Sequence, residues 1–330
     1  MTKKYLICLI LFFTFLLCQV AEAGKIYVPP LQSNLSKNKV RLINLFNNAG
    51  IENAEDLFSD PRLKLHHEFW AGGGPPGDYP TIMTPESIER GKQKIIANYE
   101  FLESVEAKYG VPKEILVSIF RVETNLGRYT GNYAVFNSLL TWTVSGTRKW
   151  KWAQQELVTF LTICKQLSID PFSVPGSTHG AFGLLQFIPT SFVRFAIAWR
   201  GEGSPDLFNF EDAITSSANY LQKCGWDPNN EMKKRRSIYA YNGSTPYVNT
   251  IFRYAKAIKI NFYNVKGIRD PKETEEQEVQ DLINRPVITN EDNHSEDIEL
   301  QFRKGDQNEE IYRIYEERSS ASMDMSSISL

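Results

Sequence analysis

Apolar residues along this chain recur mostly at intervals of three and four, and strand-like alternation is scarce. That spacing predicts a mainly α protein. Val40 to Ala49 reads as a short helix, and Ala54 to Ser59 as a shorter one stopped by Pro61. Ala71-Gly72-Gly73-Gly74-Pro75-Pro76-Gly77 is a loop on composition. Thr84-Pro85-Glu86 opens the next helix, with Thr84 as N-cap, proline at the first helical position and an acid in the first turn. Ile95, Ile96, Tyr99, Leu102 and Val105 carry it to about Tyr109-Gly110, and helices divided by Gly/Pro/Asn loops follow from Val111 to about Ile260.

The two ends differ from this body. Lys3 and Lys4, an apolar run from Tyr5 to Cys18, and Ala21-Glu22-Ala23 read as an export signal cleaved after Ala23. The run is shorter than the roughly 20 residues of a membrane span, and Leu17 before Cys18 argues against a lipid anchor. No other stretch is long and apolar enough to span a bilayer. The expected location is therefore periplasmic, at the cell wall. Residues 270–330 hold 17 acidic and 6 basic residues, a net of −11, and end Ser-rich, which predicts a largely disordered acidic tail. The whole chain is at −2, so residues 24–269 are left at +8. That basic body suits a polyanionic partner; export favours cell-wall polymer over nucleic acid. The expected organisation is a signal over 1–23, a helical N-terminal extension over 24–83, a helical core domain over 84–265 and the tail over 266–330.

Export also makes a disulfide between the two remaining cysteines, Cys164 and Cys224, an open question, since sequence gives no distance. No Cys/His spacing suggests zinc, and no cofactor is implied.

Three segments carry candidate chemistry. In Val111 to Glu123, the residues Ile115, Leu116, Ile119 and Phe120 form one helix face. Glu123 falls on that face, four residues after Ile119 and three after Phe120. A carboxyl so placed is desolvated, its pKa rises, and it becomes a candidate general acid. Alternatively it turns to solvent or pairs with Arg121 or Arg128. Gly176 to Pro189 is a Gly-rich segment in which Ser177 and Gln186 offer neutral hydrogen-bonding groups, or else a plain turn into a helix. Tyr239 to Tyr247 sets aromatic rings beside Asn242 and Ser244, a sugar-binding composition that also fits a capped helix end.

Taken together, the order and spacing of these segments resemble the lytic murein transglycosylases, most closely the B-type family with its lysozyme-like core. The likeness runs from about Thr84 to Ala257. It is carried by Tyr109-Gly110-Val111-Pro112, by Val122-Glu123-Thr124 with Gly127-Arg128, and by Gly180-Ala181 to Pro189. Asp212-Ala213-Ile214, Ser217-Ala218-Asn219-Tyr220, Gly225-Trp226, Tyr241-Asn242 and Ser244-Thr245 complete it. The resemblance implies a peptidoglycan lyase with Glu123 as sole acid/base and glycan strands as partner. It implies that Ser177, Gln186, Tyr220, Tyr241, Asn242 and Tyr247 line the saccharide groove, with Arg148 and Lys149 as nearby cations. B-type members can also carry a calcium loop before Asp212. Here it reads Ala198 to Asp206, with Ala198 offering no oxygen and Arg200 a repelling charge, so no metal is expected despite Glu202, Asp206 and Asp212.

Overall fold

The computed structural model describes residues 29–70, 82–201 and 203–260. The signal, the Gly/Pro loop at 71–77, Glu202 and the acidic tail lie outside the described residues.

The chain is built from helices, as the periodicity predicts. The N-terminal extension supplies α1 (Leu31–Asn48), α2 (Ala54–Leu57) and a 3-10 turn (His67–Trp70). Then come α3 (Pro85–Ala97), α4 (Tyr99–Tyr109) and α5 (Lys113–Thr124). After them run α6 (Val135–Thr143), α7 (Trp150–Leu167), α8 (Pro189–Phe195), α9 (Phe210–Lys223), α10 (Glu231–Asn242) and α11 (Thr245–Ala257). A two-stranded antiparallel pair, β1 (Tyr133–Ala134) with β2 (Pro175–Gly176), ties the segment before α6 to the Gly-rich loop.

Thr84 caps α3 as expected, accepting a hydrogen bond from the Ser87 amide with Pro85 at the first position. The single helix expected from Thr84 to Tyr109 is instead two. Asn98, at φ −129°, breaks it, and its Nδ2 donates to the Lys94 carbonyl, which satisfies an end-of-helix acceptor. The bend lets both helices face the core: Ile88 and Ile95 from α3, Leu102 and Val105 from α4.

The helix α5 packs between α3 and α11, while α7 lies along α6 and against α8. The extension shares this core, because α1 buries Leu31, Leu35, Leu42 and Phe46 in the same hydrophobic cluster. Asn34 also donates to the Val144 carbonyl at 2.8 Å. Cys164 is buried on α7 and Cys224 follows α9, half-buried beside Tyr220; both are free thiols, so no bridge joins them. Among the described residues no helix is long and apolar enough to cross a membrane.

Candidate active site

Glu123 sits in the last turn of α5, and the chain beyond it is sharply fixed. Asn125, Leu126 and Gly127 all have positive φ (55°, 59° and 84°). Two consecutive non-glycine residues in the left-handed region cost roughly 1–2 kcal/mol each, and the neighbourhood compensates with hydrogen bonds. Thr124 Oγ1 donates to the Leu184 carbonyl at 2.7 Å and accepts from the Gly127 amide at 3.1 Å. Arg90 on α3 donates to Asn125 Oδ1 at 3.0 Å. The end of α5 is thereby pinned to α3 on one side and to the Gly-rich loop on the other.

The carboxyl of Glu123 meets the start of α11. The fully buried Tyr247 donates its hydroxyl to Glu123 Oε1 at 2.7 Å. Ser244 fixes that tyrosine in the first turn by capping α11 through the Tyr247 amide. Burial pushes the Glu123 pKa up to about 7, and the Tyr247 hydrogen bond offsets part of the rise. Tyr241, at the end of α10, lies parallel to Tyr247 with ring centroids 6.5 Å apart, and its hydroxyl donates to the Leu185 carbonyl at 2.6 Å. Burial, and the nearby Glu123 charge, hold that phenol well above its usual pKa.

The Gly-rich loop folds back on itself through bridges between Gly176 and Phe182 and between Phe182 and Phe187. Gly183, at φ +79°, crosses so close to Leu207 that a β-carbon would lie 2.5 Å from that residue's Cβ. Gln186 also takes a left-handed φ (51°) and donates both amide hydrogens, to the Thr130 and Gly183 carbonyls, which leaves its Oε1 to accept. Ser177 Oγ accepts from the His179 and Ala181 amides, so its own hydrogen is left to donate. The loop thus presents one donor and one acceptor whose orientations are set by backbone.

The remaining expected residues fall in different places. Tyr220 was expected among the lining groups; it is 9% exposed, packs its ring against Tyr241 and donates to the Ala240 carbonyl at 2.7 Å. It supports Tyr241 from beneath. Asn242 is exposed as the last residue of α10. Arg148 is exposed in the turn between α6 and α7, and its neighbour Lys149 donates to His179 Nε2 at 3.0 Å. The clamping role of Thr124 and the pairing of Lys149 with His179 were not read from the sequence. Each joins residues tens of positions apart.

Among the described residues, no other carboxylate contributes to the shift of Glu123. Asp170 is held by Arg62 and accepts from the Phe172 amide. Asp206 accepts from the Phe208 amide. Asp212 accepts from the Trp199 amide at 2.8 Å on one oxygen and from the Asp206 amide at 2.9 Å on the other.

A mainly helical, lysozyme-like fold with a buried carboxyl, that of Glu123, at the end of α5 defines the class of protein. The chain belongs to the transglycosylase SLT domain family, whose profile matches residues 70–236, just over half of it. Membrane-bound lytic murein transglycosylase B of Escherichia coli (strain K12) is 35% identical over 145 residues, 44% of this chain and 40% of that protein. The match thus spans less than half of that relative's length. Soluble lytic transglycosylase SltB1 from Pseudomonas aeruginosa superposes at a TM-score of 0.61 and 22% identity, over 69% of this chain and 99% of that one. Escherichia coli lytic transglycosylase Slt35, solved in complex with calcium, gives 0.58 at 21% identity, over 71% and 94%.

Calcium does not suit the donors here. Both Asp212 oxygens are engaged by backbone amides, Arg200 lies near Glu211, and among the described residues no three His, Cys, Asp or Glu side chains cluster as a metal site. Asp212 closes the 198–206 loop by hydrogen bonds. Calcium titrated into the folded protein is expected to give no binding heat and no rise in Tm; a one-to-one binding isotherm contradicts this.

Proposed function

We propose that this protein is a peptidoglycan lytic transglycosylase. It cleaves the β-1,4 bond between N-acetylmuramic acid and N-acetylglucosamine without water, and Glu123 serves as both acid and base. The observation that carries the reading is the Glu123 carboxyl, with a pKa of about 7, hydrogen-bonded to Tyr247 and, among the described residues, with no other carboxylate contributing to its shift.

Most glycosidases use two carboxylates, one as acid and the other as base or nucleophile. With one, the same group must do both jobs in turn. Protonated Glu123 gives its proton to the glycosidic oxygen as the bond from C1 to that oxygen breaks. The substrate's own acetamido oxygen stabilises the charge at C1, oriented by the donor hydroxyl of Ser177. Glu123, now an anion steadied by the Tyr247 hydroxyl, takes the proton of the muramyl C6 hydroxyl, and that oxygen closes on C1. The product is a 1,6-anhydro sugar, and Glu123 ends protonated, ready for the next cycle. Exported, cell-wall-associated action fits the N-terminal signal pattern and the basic body. A lysozyme-like hydrolase on the same fold would need Asp170, Asp206 or Asp212 as its second carboxylate, and each is engaged elsewhere.

The pH profile tests the acid role. The first step needs the protonated form, so kcat/KM on purified sacculi should be flat below about pH 7. Above it the rate should fall tenfold per pH unit. A limb centred near pH 4.5, with activity rising as Glu123 ionises, would sink the assignment.

A further inference from the structure

The positive charge of the body is concentrated at its C-terminal end. Residues 221–260 hold eight basic and two acidic residues, a net of +6 out of the +8 carried by residues 24–269. The two carboxylates, Asp227 and Glu231, flank the start of α10 and are engaged there, by Lys233 Nζ at 3.2 Å and by Lys234 Nζ at 2.8 Å. The rest of the basic run turns onto α11. Arg235 donates to Asn249 Oδ1, and its guanidinium lies 5.4 Å over the Phe252 ring. Asn249, Arg253 and Lys256 stand at i, i+4 and i+7, on one face of α11. That contact therefore brings the basic run of α10 beside two further cations. Arg236, Lys256 and Lys259 are exposed.

Soon after this surface the sequence carries the opposite charge. Beyond Ile260, and outside the described residues, Glu273 to Asp281 holds five carboxylates and no base: Glu273, Glu275, Glu276, Glu278 and Asp281. Its distance along the chain suits a return. Phe252, under Arg235, stands eight residues before Ile260, which is about 12 Å of helix. Glu273 stands 13 residues after Ile260, and a coil of that length spans about 20 Å on average. A tether whose mean length is close to the span it must cover gives an effective concentration in the millimolar range. At that concentration several surface ion pairs, each weak alone, suffice to hold the run in place.

We propose that the acidic run Glu273–Asp281 docks on the basic face of α10 and α11 and covers it. The chain's own segment is the occupant because its charge is opposite and it is tethered within reach. The face adjoins the reaction site: α10 carries Tyr241 near its end, and α11 brings in Tyr247, which holds Glu123, in its first turn. The consequence rests on the reading of the substrate as anionic cell-wall polymer. The docked run masks cations that would otherwise attract that polymer, and the wall must displace it. Salt weakens the docking, since the screening length shrinks from about 10 Å at 0.1 M to about 3 Å at 1 M.

Zero-length carbodiimide coupling of carboxylates to lysine amines in the full chain, mapped by peptide mass spectrometry, tests the docking. Glu273–Asp281 should couple within one chain to Lys256, Lys259, Lys233 and Lys234. It should do so about tenfold more often than to the exposed Lys37 of α1 or Lys151 of α7. The preference should vanish at about 1 M NaCl. Arg236→Gln combined with Arg253→Gln, shown to be folded by its Tm, should cut this coupling several-fold although every lysine remains. Coupling scattered evenly over the body's lysines, or found between two chains rather than within one, would overturn the docking. The consequence is read by pelleting with purified sacculi at low salt. Replacing the five acids by amides (E273Q, E275Q, E276Q, E278Q, D281N) should tighten binding about tenfold, and equal binding would overturn the masking. If neither chain pelleted, the wall reading and the masking would fail together, while the docking would stand or fall on the coupling pattern.

Discussion

Glu123→Gln should abolish turnover on sacculi, by about a thousandfold or more, while making the folded protein more stable above neutral pH. The loss follows from removing the proton donor and acceptor together; general acid–base catalysis alone contributes roughly 10²–10⁴. The gain follows from linkage. Glu123 titrates at about 7 in the folded state against 4.5 as a free side chain, so the folded state holds the proton more tightly. A group with a raised folded pKa favours folding at low pH and loses that contribution as pH climbs from about 4.5 to about 7. Glutamine cannot ionise, yet its carbonyl can still accept from Tyr247. The variant should therefore match the parent at pH 4 and exceed it at pH 8. The gap has a ceiling of about 3 kcal/mol, reduced because Glu123 as a whole residue is only half-buried. Denaturant unfolding at the two pH values checks this. Equal stabilities at pH 8 would show that Glu123 is not held in a costly environment.

The second large effect is structural and lies at Gly183. An alanine there would force a side chain into a positive φ of 79° and push its β-carbon to 2.5 Å from Leu207 Cβ and 2.8 Å from the Leu207 carbonyl oxygen. Overpacking costs about 1–3 kcal/mol and the left-handed backbone about 1–2 more, so Gly183→Ala should lose about 2–5 kcal/mol of stability. Activity should suffer beyond what unfolding explains. The Leu184 amide donates to the Leu207 carbonyl, and the Leu184 carbonyl accepts from Thr124, so moving this strand of loop shifts the end of α5 with it. Far fewer sugars should be released per folded molecule, with Tm lowered. A variant with parental Tm and turnover would contradict the close packing described here.

These effects show what could be read in the sequence. Glu123 was legible as a candidate because its spacing from Ile119 and Phe120 places it on an apolar face; that it is desolvated rather than turned to solvent is set by the packing around it and by Tyr247. The start of α3 was legible because Thr84 and Pro85 act locally. The break at Asn98 was not: the apolar spacing runs straight through it, and the bend is set by how α3 and α4 meet the core. The depth of the tyrosines was equally hidden. Tyr220, Tyr241 and Tyr247 look alike in sequence, yet Tyr247 touches the carboxyl, Tyr241 lies over the loop and Tyr220 props it from below. Gln186 carried a recognisable side chain but no sign of its left-handed backbone. Lys149 and His179 lie 30 residues apart, and nothing local announces their contact.

The central claim, that one carboxyl serves as acid and base and no water enters, is tested most directly by the mass of what the protein releases from purified sacculi. Fragments ending in 1,6-anhydromuramic acid, absent with Glu123→Gln, are the predicted result. Fragments heavier by one water would contradict it and require a second carboxylate.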